Sequence, residues 1–270
     1  MKVLHSVPKR GLSLRSTKTN RSARSIGLRY LACLMSDLAS GHGFAQENAS
    51  NPLAAVNSTD GRVQYLDLGG AYITDAWVDG AYMLNPKVKL KYEVHHWTSN
   101  LTGERLNNFE SLHLKAIWFP TQGEWGSWKY KPAIGLEWIK GWGNDDYVLG
   151  AESIGSSADQ LGPFVGLSLV KGGTVLVPLL QHYVSYDGPD VKMTAARLIA
   201  IQSLANNSWG KLDLVIPVDW ENDKAIPATA EVQLGKMFSS SFGVYMDGMV
   251  GIGTDRPYDW GVGVGVRFNY

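Results

Sequence analysis

The sequence predicts an all-β protein whose strands form a transmembrane antiparallel β-barrel, with twelve as the expected number of strands. Apolar residues alternate with polar or small ones over runs of about 11 residues, the length that a tilted strand needs to cross a bilayer. Aromatic residues stand at the ends of these apolar faces, as in the interfacial girdles of membrane barrels. The 270-residue chain has no run of 18 apolar residues, so no transmembrane helix is predicted.

The last predicted strand, 259–270, shows this alternation most clearly. One face is wholly apolar, and the other carries three glycines, Arg267 and an asparagine. The apolar residues are Trp260, Val262, Val264, Val266, Phe268 and Tyr270. A terminal aromatic residue on such a strand resembles the sorting signal of bacterial outer-membrane proteins. We therefore expect this strand to engage the barrel-assembly machinery and to close the barrel against the first strand.

The other strands follow from the same alternation and from the turn residues between them. Apolar faces are bounded by Trp128 and Trp138 in one strand and by Trp220 in another. Short connections alternate with longer ones, as expected of short turns on one side of a membrane and loops on the other. The predicted strands are 62–70, 73–84, 87–99, 108–119, 127–141, 160–171, 174–187, 191–203, 210–221, 227–237, 241–253 and 259–270. Ten strands remain an alternative, because the first strand is weak and two central strands have ambiguous faces.

The formal net charge of zero hides two oppositely charged parts of the chain. Residues 1–45 contain eight basic residues and one acidic residue, whereas 46–270 contain 17 basic and 24 acidic residues. A basic leader, an apolar stretch at 30–35 and a small-residue site ending at Ala45 predict a signal segment that is cleaved near Ala45. We expect 46–61 to be a flexible segment and 62–270 to be a barrel in the outer membrane of a Gram-negative bacterium.

The composition excludes several classes of function. A neutral overall charge argues against nucleic acid as a partner. The single cysteine, Cys33, lies in the leader, so no thiolate metal site is predicted in the mature chain. His95 and His113 could approach each other across neighbouring strands, but no ligand-type spacing accompanies them. The sequence therefore predicts no metal and no cofactor.

Residues that alternate with the apolar faces are predicted to line a pore. The third to fifth predicted strands supply mainly lysines and the ninth and tenth supply acids, so we expect a basic wall to face an acidic wall. The candidate pore-lining residues are Lys89, Lys91, Glu93, His95, His113, Lys115, Lys129, Lys131, Glu137, Asp213, Asp219, Glu231 and Arg267. The residues expected at lipid or at the interface are Trp128, Trp138, Trp220, Trp260, Phe268 and Tyr270. Twelve strands lie between filled and open barrels, which leaves a narrow passage and a plugged lumen as alternatives.

Several segments of the C-terminal third resemble a known family. They are 211–220 (KLDLVIPVDW), 226–238, the closing strand and, upstream, 177–183 (VPLLQHY). These segments are similar to outer-membrane channel proteins grouped with the MetA pathway of phenol degradation. The resemblance implies an outer-membrane barrel that passes small aromatic or hydrophobic molecules and has no catalytic residues.

The sequence thus predicts a channel or transporter for small solutes, surrounded by outer-membrane lipid and without enzymatic activity. Two alternatives stay open. A lipid-modifying hydrolase barrel needs a serine and a histidine that can assemble from distant residues. A closed barrel with a structural or adhesive role needs neither a passage nor an active site.

Overall fold

The computed structural model describes residues 48–101, 103–143 and 157–270, and the predicted signal segment lies outside them. All regular structure within these ranges is β-strand. The strands are β1 (Ser58–Asp67), β2 (Tyr72–Asn85), β3 (Val88–Ser99), β4 (Leu106–Trp118), β5 (Gly123–Trp125), β6 (Trp128–Gly141), β7 (Asp159–Lys171), β8 (Thr174–Asp187), β9 (Lys192–Leu204), β10 (Ser208–Asp219), β11 (Ala228–Met237), β12 (Phe242–Ile252) and β13 (Trp260–Asn269). Over the same ranges, no helix has the length and hydropathy to span a membrane.

The strands form one closed antiparallel barrel. Each strand of the barrel pairs with its neighbours in the chain, β4 pairs with β6, and β13 closes the ring against β1. The three-residue β5 pairs only with the start of β6 and adds no member to the ring, so the barrel has twelve strands. The predicted twelve-stranded barrel is confirmed, the ten-strand alternative is wrong, and the strand ends differ from those predicted by at most four residues.

Short turns and long loops lie at opposite ends of the barrel. We call the end that holds the start of β1 and the end of β13 the terminal rim. Its connections are turns of two to four residues, except for the nine-residue connection between β4 and β6, which contains β5. The connections at the other end, the loop rim, are four to 17 residues long. This arrangement follows from the even number of strands, because each pair of strands brings the chain back to the same end.

The outer face of the barrel is apolar. On β13, Val262, Val264 and Phe268 expose 51%, 60% and 50% of their surface, and every strand of the ring contributes comparable residues. An apolar band of this extent is incompatible with a water-facing surface and fits the hydrocarbon of a bilayer.

Aromatic side chains mark both rims of this band. Near the loop rim, Tyr65 stacks on Tyr72 and packs at a tilt against Trp260, with ring centroids 5.8 Å apart in each pair. At the terminal rim, Phe242 lies 5.4 Å from Phe268 between ring centroids. The expected interface residues Trp128, Trp138, Trp220, Trp260, Phe268 and Tyr270 all lie on the outer face near one rim or the other.

The glycines on the inner face of β13 make room for side chains from neighbouring strands. A Cβ atom at Gly265 would overlap the ring of Tyr245, and one at Gly261 would contact Leu66 too closely. Gly265 thus lets Tyr245 lie across the inner face, where it is 4% exposed.

Much of the terminal half of the interior is filled by side chains. An apolar cluster that includes Ile117, Phe119, Phe164, Trp209 and Tyr245 occupies it. The segment 48–57, which precedes β1, enters the barrel from the terminal rim and inserts Leu53 into this cluster at 1% exposure. We call this segment the N-terminal plug. It covers most of the stretch expected to be flexible, and β1 itself begins within the remainder.

Candidate functional site

A cavity of about 260 Å³ lies in the middle of the barrel. Its floor is formed by the N-terminal plug, through Ser50, Pro52 and Leu53, and its lining extends to Tyr258 at the loop rim. The wall between them carries most of the charged side chains of the interior. This central cavity is the candidate functional site, because ligand sites are concave and combine apolar lining with a few placed polar groups.

The charges of the central cavity are balanced. Its basic lining residues are Arg62, Lys91, Lys115, Arg197, Lys211 and Arg267. Its acidic lining residues are Asp60, Asp75, Asp79, Glu93, Asp213 and Glu231. Six basic groups thus stand against six carboxylates, and His95 adds an imidazole.

The expected contrast between a basic wall and an acidic wall is wrong for the β3–β6 side of the cavity. There the lysines are compensated within the wall itself. Lys115 Nζ lies 3.0 Å from Glu93 Oε1 and 3.1 Å from Glu137 Oε1, and Lys91 Nζ lies 3.4 Å from Glu93 Oε1. Since strand alternation places Glu93 and Glu137 beside these lysines, the wall carries little unbalanced charge.

The β9–β11 wall is likewise neutralised locally. Asp213 accepts two hydrogen bonds from Arg197, from Nε at 2.8 Å and from Nη2 at 2.7 Å. Lys211 Nζ lies 2.7 Å from Glu231 Oε1 and 3.5 Å from Asp213 Oδ2. Arg197 lies on a strand whose faces the sequence left ambiguous, so the acidic wall was predicted without its partner.

Two arginines lie against aromatic rings beside the cavity. The guanidinium of Arg62 lies 5.0 Å from the ring centroid of Trp77 and 4.9 Å from that of Tyr245. The guanidinium of Arg267 lies 5.3 Å from the ring centroid of Trp209 and 5.2 Å from that of Tyr245. Such cation–π contacts fix the arginines at the level between the charged cavity and the apolar cluster.

The N-terminal plug is bound by polar groups of the wall. Lys89 Nζ donates to the carbonyl oxygens of Ala54 and Pro52, at 2.8 and 3.2 Å. Arg267 Nη1 donates to Ser50 Oγ at 2.9 Å and to Asn48 Oδ1 at 3.1 Å. These contacts satisfy the plug backbone and two of its side chains inside the barrel.

The structure divides the predicted pore-lining residues among five places. Those that line the central cavity are Lys91, Glu93, His95, Lys115, Asp213, Glu231 and Arg267. Lys89 binds the plug, and Lys129 and Lys131 line a second cavity at the terminal rim. His113 and Glu137 are hydrogen-bonded to each other within the wall, and Asp219 lies in a groove at the loop rim.

Sequence reasoning missed several groups of this site. Three of them, Asp60, Arg62 and Asp75, lie before the strands whose alternation is clear. The fourth, Arg197, lies on a strand whose inner and outer faces the sequence left ambiguous. Alternation on β1 and β2 could have found the first three once the strand starts were known. Glu110 gave no such signal, because a β-bulge opposite His95 and His96 turns both Glu110 and Ser111 inward.

One group of inner residues has the geometry of a serine hydrolase triad. Ser111 Oγ lies 2.9 Å from His113 Nε2, and His113 Nδ1 lies 2.7 Å from Glu137 Oε1. All three residues are at most 4% exposed, and none lines the central cavity. Glu137 also accepts a hydrogen bond from Gln181 at 2.6 Å. A substrate therefore has no route to the Ser111 hydroxyl, and the trio is a satisfied polar network of the wall.

We expect Ser111 to be unreactive. A fluorophosphonate probe should leave the folded protein unlabelled, because nucleophilic catalysis requires access as well as a paired base. Mass spectrometry of the treated protein, with the Ser111→Ala variant as control, measures this. Labelling of Ser111 in the folded wild type would instead support the hydrolase alternative.

Comparison with known proteins places the fold. No family profile and no curated protein matches the chain. The NanC porin has a TM-score of 0.56 at 12% sequence identity, covering 78% of this chain and 100% of the porin. An outer-membrane channel from Pseudomonas putida F1 has a TM-score of 0.56 at 11% sequence identity, covering 80% of this chain and 96% of the channel. Outer membrane phospholipase A from Escherichia coli has a TM-score of 0.50 at 15% sequence identity, covering 85% of this chain and 99% of the phospholipase.

These likenesses establish the architecture of an outer-membrane barrel. The similar structures include both channels and a phospholipase, so the shared fold leaves the activity open. The resemblance to the MetA type remains a prediction from sequence.

Proposed function

We propose that the protein is an outer-membrane channel for small polar solutes, narrowed at its terminal rim by the N-terminal plug. The observation that carries this proposal is the central cavity, whose wall concentrates paired charges. These charges lie between the apolar cluster of the terminal half and a second apolar cluster, formed by Leu66, Ile73, Trp97 and Met249. A barrel that served only as a scaffold could fill this level with apolar side chains, which avoids the desolvation of buried charge.

The cavity favours a solute that carries charges of both signs. A zwitterion could exchange partners with ion pairs such as Arg197–Asp213, whereas a solute of one sign would meet repulsion from half of the lining. An uncharged aromatic or hydrophobic solute, as the family resemblance implies, is the alternative. It would displace water from charged groups without replacing their hydrogen bonds. The cavity volume of about 260 Å³ limits the solute to a small molecule.

Reversal potentials in planar bilayers test the channel. With a potassium chloride gradient we expect weak ion selectivity in the wild type, because the lining is balanced. The Lys115→Met variant leaves Glu93 and Glu137 without a shared cation, so cation selectivity should rise by at least about threefold. Lys87→Met is the matched control, since Lys87 is exposed at the β2–β3 turn and should leave selectivity unchanged.

The other outcomes separate the alternatives. Absence of current from both the wild type and a variant lacking the plug supports a closed structural barrel and overturns the proposal. Current whose selectivity is the same in Lys115→Met as in the wild type shows that ions bypass the central cavity. Swelling of proteoliposomes in a zwitterionic amino acid, compared with a neutral sugar of similar size, then tests the solute class.

A further inference from the structure

Three side chains from β2, β3 and β4 converge on one point of the inner wall. His95 Nδ1 lies 3.0 Å from Asp75 Oδ2 and 3.7 Å from Glu110 Oε2. A ligand atom from each of the three residues lies within 4.8 Å of the other two. The side chains of His95, Asp75 and Glu110 are only 8%, 5% and 4% exposed. From this geometry we propose a binding site for a divalent transition-metal ion such as Zn²⁺.

The donor set suits such an ion. One imidazole nitrogen with two carboxylate oxygens is a mixed nitrogen and oxygen set of the kind that Zn²⁺ accepts in three-ligand sites. An ion held about 2.0–2.2 Å from each donor requires donor atoms separated by roughly 3–4 Å. The two measured separations from Nδ1, 3.0 and 3.7 Å, already fall in that range.

The surroundings of His95 are those of a metal-ligating histidine. Such residues commonly direct their second ring nitrogen to a carboxylate, which fixes the tautomer and the ring orientation. Here Nε2 faces Glu93 Oε2 at 3.6 Å, on the other side of the ring from Asp75 and Glu110. Trp77 stacks on the imidazole with ring centroids 5.1 Å apart and an interplanar angle of 17°. The ring therefore lies between an aromatic face and a carboxylate that is just beyond hydrogen-bond distance.

Two further observations point to a ligand at this place. Asp75 Oδ1 is buried and has no hydrogen-bond partner among the described residues, although a buried carboxylate oxygen normally has one. The β-bulge at His95 and His96 turns Glu110 inward in addition to Ser111. Bulges commonly redirect a side chain next to a functional site. Without the bulge, the alternation of the strand would place Glu110 on the outer face, in the apolar band.

An ion can reach the site from the central cavity, which Asp75 and His95 both line. The neighbouring His113 is not a fourth ligand, because its two ring nitrogens are engaged by Glu137 and Ser111. The remaining coordination positions would be filled by water from the cavity. The sequence predicted no metal, because the two carboxylates lie far from His95 in the chain and one of them breaks the alternation.

Zinc binding to the refolded, detergent-solubilised protein tests this proposal. Equilibrium dialysis should give one Zn²⁺ per chain, and the zinc K-edge absorption spectrum should show a single imidazole ligand. Each of Asp75→Asn, His95→Gln and Glu110→Gln should weaken zinc affinity by at least about tenfold. Asp223→Asn is the control, because Asp223 lies in the separate acidic groove at the loop rim and should leave affinity unchanged.

Two different results would contradict the zinc-site proposal. If the wild type binds no zinc, the three residues form only an ion-paired network around a protonated imidazole. If Asp223→Asn abolishes binding and Glu110→Gln does not, zinc occupies the loop-rim groove. Either result overturns the proposal. Should a variant at His95 fail to fold, the nearly isosteric Glu110→Gln and the absorption spectrum of the wild type still decide the question.

Discussion

Removal of residues 46–57 should raise the single-channel conductance by at least about threefold, because the N-terminal plug occupies part of the terminal half of the barrel. The plug inserts Leu53 among apolar side chains and is bound by Lys89 and Arg267. Since β1 begins at Ser58, the deletion leaves every strand of the barrel in place. Single-channel recording of the refolded variant beside the wild type measures the effect.

A point substitution can release the plug without shortening the chain. Leu53→Asp places a carboxylate in an apolar cluster, where burial of an unpaired charge is strongly unfavourable, so the plug should leave the barrel. Ala55→Asp introduces the same carboxylate at an exposed position of the plug, so the plug should stay in the barrel and the large rise in conductance should not occur. Equal conductance in the deletion variant and the wild type would show that the plug does not narrow the channel.

Loss of the Arg267 side chain should lower the free energy of unfolding by about 3–5 kcal/mol, as expected when one partner of a buried ion pair is removed. Arg267 and Asp60 are register partners across the seam between β13 and β1. The guanidinium donates from Nε to Oδ1 at 3.0 Å and from Nη2 to Oδ2 at 2.6 Å, with both side chains at most 4% exposed. Urea unfolding of Arg267→Ala in detergent measures the loss.

Two further variants provide stability losses with which the loss in Arg267→Ala can be compared. Arg267→Lys keeps the charge but lacks the planar fork, so an intermediate loss is expected. Arg256→Ala removes an exposed ion pair with Asp259 at the loop rim and should cost at most about 1 kcal/mol. If Arg267→Ala and Arg256→Ala lose the same stability, the seam does not depend on the buried pair.

Most of the fold could be predicted from the sequence because the physical signal is local. A strand between lipid and a packed interior must alternate with period two, so 259–270 and 127–141 could be assigned from their own residues. The weak first strand is different. Its outer face carries few strong apolar residues, and its start at Ser58 is fixed by pairing with Asn269 at the far end of the chain.

The candidate site was predictable only as a set of inward residues. Alternation places Lys91, Glu93 and Lys115 on the inner face, but it does not state which charges meet. Ion pairing depends on register between strands, and the β-bulge beside His95 changes that register by one residue. The Arg197–Asp213 pair shows the consequence, since the predicted acidic wall contains its own cation.

The sequence by itself determined the class of the fold and, on the strands with clear alternation, the division into outward and inward residues, because both follow from the polarity of consecutive side chains. It predicted twelve strands with ten as an alternative, and the closed ring decided for twelve. Only the tertiary structure decided how the inward residues are used. The plug, the Asp60–Arg267 seam and the cluster of Asp75, His95 and Glu110 each join segments distant in the chain. Such contacts arise when the barrel closes, and no local sequence pattern predicts them.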